Sequence, residues 1–189
     1  MLWRNLRQWR ALAWLGRLVV VLTAAGLTAG CWQPLYGGRP PGGEGVQDKF
    51  AAVDIPPIKA RQGTPSERVA VGMRNALQFD LHNGGSPLPA AFTLTVNVNT
   101  SQFTAYIDPV SGRPDTQIEN VIASYQLVEL ATGKIVVNDL ATAHVDYDIP
   151  GSQQRFAGLR ARRDAEDHAV QIVAEAIRNR LASYFVAGT

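Results

Sequence analysis

Phe92-Thr93-Leu94-Thr95-Val96-Asn97-Val98-Asn99 alternates apolar and polar side chains without a break. Successive residues of a strand point to opposite faces, so this stretch predicts a strand with Phe92, Leu94, Val96 and Val98 toward a core. Thr93, Thr95, Asn97 and Asn99 then form a polar face left open to a partner or ligand. The strand continues toward Ile107, where the prolines and glycine of Asp108-Pro109-Val110-Ser111-Gly112-Arg113-Pro114 force a connecting loop, read as lasting to Gln117. Ile118–Leu130 and Ile135–Tyr147 are two further β-like runs, and the tight connection Ala131-Thr132-Gly133-Lys134 makes them a hairpin.

Toward the amino terminus, Thr64-Pro65-Ser66-Glu67 combines an N-cap threonine, a proline suited to the first helical position and a glutamate three residues on. Val69, Met73, Leu77 and Leu81 recur every fourth residue behind it and predict one buried helical stripe, closed by His82-Asn83-Gly84-Gly85. Before the helix, the apolar segment Phe50–Ile55 ends at Pro56-Pro57 and reads as a first strand. At the other end, Ala165, Ala169, Ile172, Val173, Ala176, Ile177, Leu181 and Tyr184 predict a helix over Asp164–Phe185, about 32 Å long at 1.5 Å per residue. The order β-α-β-β-β-α argues for an α+β fold: a mostly antiparallel or mixed four-stranded sheet with two helices packed on one face.

A chain of 189 residues that is 46% hydrophobic suffices for one ordinary domain with a core. Its net charge of +2 is set by the first 30 residues, which hold Arg4, Arg7, Arg10 and Arg17 and no acid; without them the balance is −2. A body so balanced lacks the concentrated positive face that nucleic-acid phosphates require, which excludes nucleic acid as a partner. The single cysteine, Cys31, permits neither an intramolecular disulfide nor a cysteine metal cluster.

The setting of Cys31 is informative. The basic stretch Met1–Arg17 precedes an uncharged run, Leu18–Gly30, that ends in small residues: the layout of an export signal. A run of about 13 residues is too short for a spanning helix, which needs roughly 17–25. Leu27-Thr28-Ala29-Gly30-Cys31 resembles the lipobox of bacterial lipoproteins, with Thr28 where an aliphatic residue is usual. That resemblance implies cleavage before Cys31 and lipid on its thiol and amine, an anchor that several acyl chains make effectively permanent. Trp32, rather than Asp, follows the cysteine and implies passage to the outer membrane. The reading is therefore a signal peptide over 1–30, a Pro/Gly-rich tether over 31–49 and one domain over 50–189.

Convergent chemistry is sparse. His82, His144 and His168 make no metal-ligand spacing with one another, and neither a nucleophile elbow nor a phosphate-binding Gly-Lys-Ser/Thr loop occurs. Asp146 and Asp148 share a strand face, as a solvated strand end would. No catalytic residue, metal or cofactor is expected. The densest positive patch is Arg155, Arg160, Arg162 and Arg163, partly neutralised by Asp164, Glu166 and Asp167 in what would be the first helical turn.

The lipobox followed by Trp32-Gln33-Pro34-Leu35-Tyr36-Gly37 is similar to the start of mature proteins of the LPS-assembly lipoprotein LptE family, alphaproteobacterial type. The resemblance spans Cys31 to about Phe185, with Pro34-Leu35-Tyr36 as its sharp motif. It implies a non-enzymatic outer-membrane lipoprotein that plugs an LptD β-barrel, assists its assembly and takes part in lipopolysaccharide transport. It also implies lipopolysaccharide binding through basic residues, for which Arg113, Lys134, Arg160, Arg162 and Arg163 are the candidates. The alternative is a lipid-anchored periplasmic module that encloses a small amphiphile between sheet and helices.

Overall fold

The structure, a computed structural model, describes residues 45–60, 62–149 and 155–187; Cys31, the export segment and residues 31–44 of the expected tether lie outside them. The elements are α1 (Val46–Ala51), β1 (Val53–Asp54), α2 (Pro65–His82), β2 (Phe92–Ile107), β3 (Pro114–Glu129), β4 (Ile135–Asp148) and α3 (Arg155–Ala187). The strands form one sheet in the order β1-β2-β3-β4, with β1 parallel to β2 and the other pairs antiparallel. The expected α+β architecture is present: a mixed four-stranded sheet with α2 and α3 packed against it.

The alternation over 92–99 is obeyed. Leu94 and Val96 are buried, while Thr95, Asn97 and Asn99 are exposed. The register continues the two faces across the sheet, pairing Leu94 with Leu127, Val96 with Tyr125, and Val121 with Ala143, all buried beneath the helices. From α2 come Val69, Met73, Leu77 and Leu81, and from α3 come Ala165, Ala169, Val173, Ile177 and Leu181, none more than a few per cent exposed. A fully buried Leu, Ile or Met contributes roughly 1.5–3 kcal/mol, so this packed layer is the main source of stability.

The ends of α2 fall where read, but the capping box does not close, since the Thr64 side chain makes no cap hydrogen bond. Thr64 is the extended N-cap, Pro65 opens the helix, and Asn83 closes it in the left-handed region at φ 50°. Glu67 Oε2 accepts from the Gly63 amide at 2.8 Å, one residue before the partner a closed capping box would use. His82 then donates through Nε2 to Val53 O (3.0 Å), and Arg74 Nε donates to Ile55 O (3.0 Å). These two contacts seal the outer edge of β1 with α2 side chains.

Three expectations are corrected. Phe50–Ile55 is not a strand: Val46–Ala51 is helical, including residues 46–49 assigned to the tether, and only Val53–Asp54 pairs with β2. A helical turn, closed by the Gly45 amide on Asp48 Oδ2 (3.0 Å), brings fully buried Phe50 edge-on to Phe185 at 5.6 Å. The loop after β2 is shorter than Asp108–Gln117, because ladder pairing resumes at Pro114 opposite Ile107. Asp108 closes it by accepting from the Val110 amide (3.0 Å), the Ser111 amide (3.2 Å) and the Ser111 hydroxyl (2.5 Å). These bonds hold the Asp108 carboxyl below its ordinary pKa.

Finally, α3 begins at Arg155, not Asp164, and 33 residues at 1.5 Å make it about 50 Å long, matching a 16-residue strand at about 3.3 Å per residue. Ile172 and Ala176 are exposed, whereas Val170, Ala174, Ala182 and Phe185 are buried. Val170 of this second column faces Gly72 of α2, where a Cβ would sit 4.0 Å from Val170 Cγ1, an ordinary contact, while Phe185 packs on Phe50 and Phe92. Among the described residues no helix is long and apolar enough to cross a membrane.

Candidate functional site

On β3 the core-facing residues run Leu127, Tyr125, Ala123, Val121, and the next is Glu119. Its side chain is fully buried, with Gln102 of β2 and Val145 of β4 as its cross-strand neighbours. One step farther, Gln117 pairs with Tyr147. Gln102 Nε2 donates to the Tyr147 hydroxyl (2.7 Å), which donates to Gln117 Oε1 (2.7 Å), so a polar chain ties three strands where the apolar ladder stops. Beyond Thr100, whose hydroxyl lies 3.0 Å from that of Ser66 at the start of α2, β2 residues 102–107 are exposed.

Charge collects above this polar floor. Arg162 Nε of α3 lies 3.0 Å from Glu166 Oε1 and 3.5 Å from Glu119 Oε2. Arg68 of α2 pairs with Glu166 and, at 2.9 Å, with Asp167 Oδ1. Glu119 and Glu166 are buried while both arginines keep part of their surface in solvent, so two guanidinium groups are held from beneath by carboxylates. Burial raises the pKa of Glu119, since water is withdrawn from the charged form, and Arg162 offsets this only in part. Burial likewise raises the Tyr147 hydroxyl. An open cleft of about 280 Å³ lies over the cluster, lined by Thr64, Pro65, Arg68, Leu159, Arg162 and Arg163. What it offers chemically is charge and guanidinium donors in the fork geometry that suits carboxylates and phosphates.

The structure divides the basic residues singled out from the sequence. Arg160, Arg162 and Arg163 share the first third of α3, with Arg160 and Arg163 exposed and Arg162 turned down into the ion cluster. Arg113 closes the β2–β3 loop, its carbonyl accepting from the Asp108 amide (2.9 Å). Lys134 lies in the β3–β4 turn, where Thr132 Oγ1 accepts from its amide (3.3 Å) and Gly133 takes φ 68°. These two loops are at opposite ends of a 16-residue strand, about 50 Å apart. Arg113 and Lys134 therefore do not form one site.

The helix-dipole role expected of Asp164, Glu166 and Asp167 is also overturned: because α3 starts at Arg155 they lie well inside it, and its first turn holds no acid. Asp146 and Asp148 share the sheet face opposite the helices, exposed, with Thr116 Oγ1 donating to Asp148 Oδ1 (3.2 Å). His144 and His168 are exposed, and among the described residues no three His, Cys, Asp or Glu side chains converge as a metal site. Arg68 and Glu119 escape the sequence reading, whereas the neutralising role expected of Glu166 is met by its pair with Arg162. The available signal for Glu119 was a fault in its pattern, since it interrupts the apolar alternation of β3.

No family model matches the chain, and no curated protein matches it by sequence. Solved structures do share its fold. A protein described as a lipoprotein from Caulobacter crescentus CB15 superposes with a TM-score of 0.57 at 19% identity, over 75% of this chain and 96% of its own. Rare lipoprotein B from Shewanella oneidensis gives 0.50 at 16% identity, over 71% and 96%. An uncharacterised lipoprotein B from Nitrosomonas europaea gives 0.52 at 10% identity, over 72% and 83%. The fold of this chain is thus one carried by lipoproteins of other bacteria.

Proposed function

We propose that the chain is an outer-membrane lipoprotein of the LptE kind, anchored through lipid on Cys31 with its body on the periplasmic side. In this reading it sits inside an LptD-like β-barrel, assists assembly of that barrel and takes part in lipopolysaccharide delivery, without catalysing a reaction. The observation that carries the proposal is the conjunction of the lipobox and Pro34-Leu35-Tyr36 with a fold shared by lipoproteins. The exposed polar face of Thr95, Asn97 and Asn99 suits the wet interior of a large barrel. Arg163, which lines the cleft over the ion cluster, and the exposed Arg160 three residues before it on α3 supply donors for the anionic groups of lipopolysaccharide. A module holding an amphiphile between sheet and helices would need room there, and that interface is filled by Leu94, Val121, Leu127, Leu77, Val173 and Ile177, all fully buried.

Depletion in the native cell is the test. Loss of the protein should lower both surface lipopolysaccharide and the assembled barrel several-fold, and a Cys31→Ala chain should fail to restore them. Normal surface lipopolysaccharide after depletion overturns the reading.

A further inference from the structure

The two edges of the sheet are treated differently. On β1 the Val53 and Ile55 carbonyls are occupied by His82 and Arg74. On β4, 14 residues long, no described residue pairs along the far side. Antiparallel pairing directs alternate residues to the neighbouring strand and the others outward. The Ile149 amide donates inward to Asp115 O (2.8 Å), which sets the odd-numbered residues toward β3. Leu140, Thr142, His144, Asp146 and Asp148 therefore present their backbone N–H and C=O groups outward. Among the described residues, the edge amide with a partner is that of Leu140, which donates to the adjacent Asp139 Oδ1 (2.8 Å).

Edge strands are commonly blunted by lysine, proline, a bulge or shortness. Strand β4 contains no lysine and no proline, and its only register irregularity is at the Ile135 end. What it carries is acid, Asp139, Asp146 and Asp148, with no Lys or Arg and with His144 as the one imidazole among them. Asp139 is held by Arg180 (3.3 Å), which leaves Asp146 and Asp148 as the charge exposed along the edge, two residues apart on the face away from the helices. Toward the other end that face turns to exposed Leu140 and Thr142.

The geometry points to the outer edge of β4, over Leu140–Asp148, as a docking edge for an extended segment of a partner protein that adds as an antiparallel fifth strand. The segment places Lys or Arg at two alternate positions opposite Asp146 and Asp148 and small apolar or β-branched residues opposite Thr142 and Leu140. Backbone pairing supplies the affinity and the alternate side chains the specificity. This inference does not depend on the function proposed above.

The probe is the peptide Lys-Thr-Lys-Thr-Thr-Thr-Val-Thr-Val, added to the full lipidated chain in detergent micelles, with amide hydrogen exchange read residue by residue. In the protein alone, the amides of Thr142, His144 and Asp146 should exchange at least tenfold faster than those of Ala141, Ala143 and Val145. Saturating peptide should slow the first set at least tenfold and leave the second unchanged. Thr142→Pro removes an N–H that the ladder does not use. It should leave the melting temperature unchanged while abolishing the protection, and Asp146→Asn with Asp148→Asn should weaken peptide binding at least fivefold. Absence of protection at millimolar peptide overturns the inference. So does equal protection by the peptide with Glu in place of Lys, or concentration-dependent protection without peptide, which would mean that a second copy of the chain covers the edge.

Discussion

Along its length one sheet holds two unlike interiors. From Phe92 to about Val98 the helix-facing residues of β2, β3 and β4 are apolar and mostly buried, apart from Asp139 at the β4 edge, which pairs with Arg180 of α3, and α2 and α3 close over them. From Gln102 onward the same faces of the same strands carry Gln102, Gln117, Glu119 and Tyr147, and what stands over them is Arg162 and Glu166 of α3 with Arg68 at the start of α2. The backbone ladder is continuous across the boundary, so secondary structure does not explain the change. It falls where α2 begins: with only α3 above them, the far strands cannot be dehydrated enough to favour hydrocarbon. Stability thus belongs to the near half, and the far half presents held charge.

The largest effect expected of any single change is in the near half. Leu127→Ala or Ile177→Ala should destabilise the protein by about 2–5 kcal/mol, lowering the thermal midpoint by roughly 4–20 °C in circular dichroism. A loss as small as that of a surface change would erase the distinction between the halves. Glu166→Ala, which strips both Arg68 and Arg162 of a partner, should cost about 1–3 kcal/mol, and less in high salt because both arginines are partly solvated. Leu127→Ala should show no such salt dependence.

Glu119→Gln should act in the opposite sense. A carboxyl whose pKa is raised in the folded chain binds its proton more tightly there than when unfolded. Stability therefore falls as pH climbs from the ordinary carboxylate value through the raised one, and stays lower above it. The amide, which does not titrate, should melt higher than the native chain at pH 7, and the gap should close below about pH 4. Asp108→Asn should have the smallest effect. Its lowered pKa means that the loop contacts are present above the ordinary aspartate range and lost as pH falls through the lowered value. The measurable outcome is faster exchange of the Val110 and Ser111 amides, with the melting temperature unchanged.

Much of the near half was legible in the sequence, because its signals are local. Alternation over 92–99, the cap at Thr64-Pro65 and the four-residue spacing of Val69, Met73, Leu77 and Leu81 each state a period and a face within one element. Phe50 was misread since a short apolar run ending in prolines does not say whether it is extended or helical; its seat against Phe185, far off in sequence, decides that. The start of α3 was misplaced because residues 155–163 lack an apolar stripe, being the part of the helix that lies beyond the dry core. The ion cluster was illegible for the same kind of reason. Arg68, Glu119, Arg162 and Glu166 come from three elements, and no spacing along the chain records that they meet.

By itself the sequence determined the α+β class, the faces of β2 and the limits of α2; the export and lipidation signal around Cys31 is its expectation for residues outside those described. These rest on short-range pattern, which the backbone period turns directly into burial or exposure. Only the tertiary structure decided that Arg113 and Lys134 lie at opposite ends of the sheet, that Arg162 is spent on a buried carboxylate while Arg160 and Arg163 face outward, and that, among the described residues, one sheet edge is sealed and the other open. Those facts depend on which strands are neighbours and where each helix ends above them. A local pattern specifies the face a residue takes within its own element, and the packing of elements specifies what it meets there.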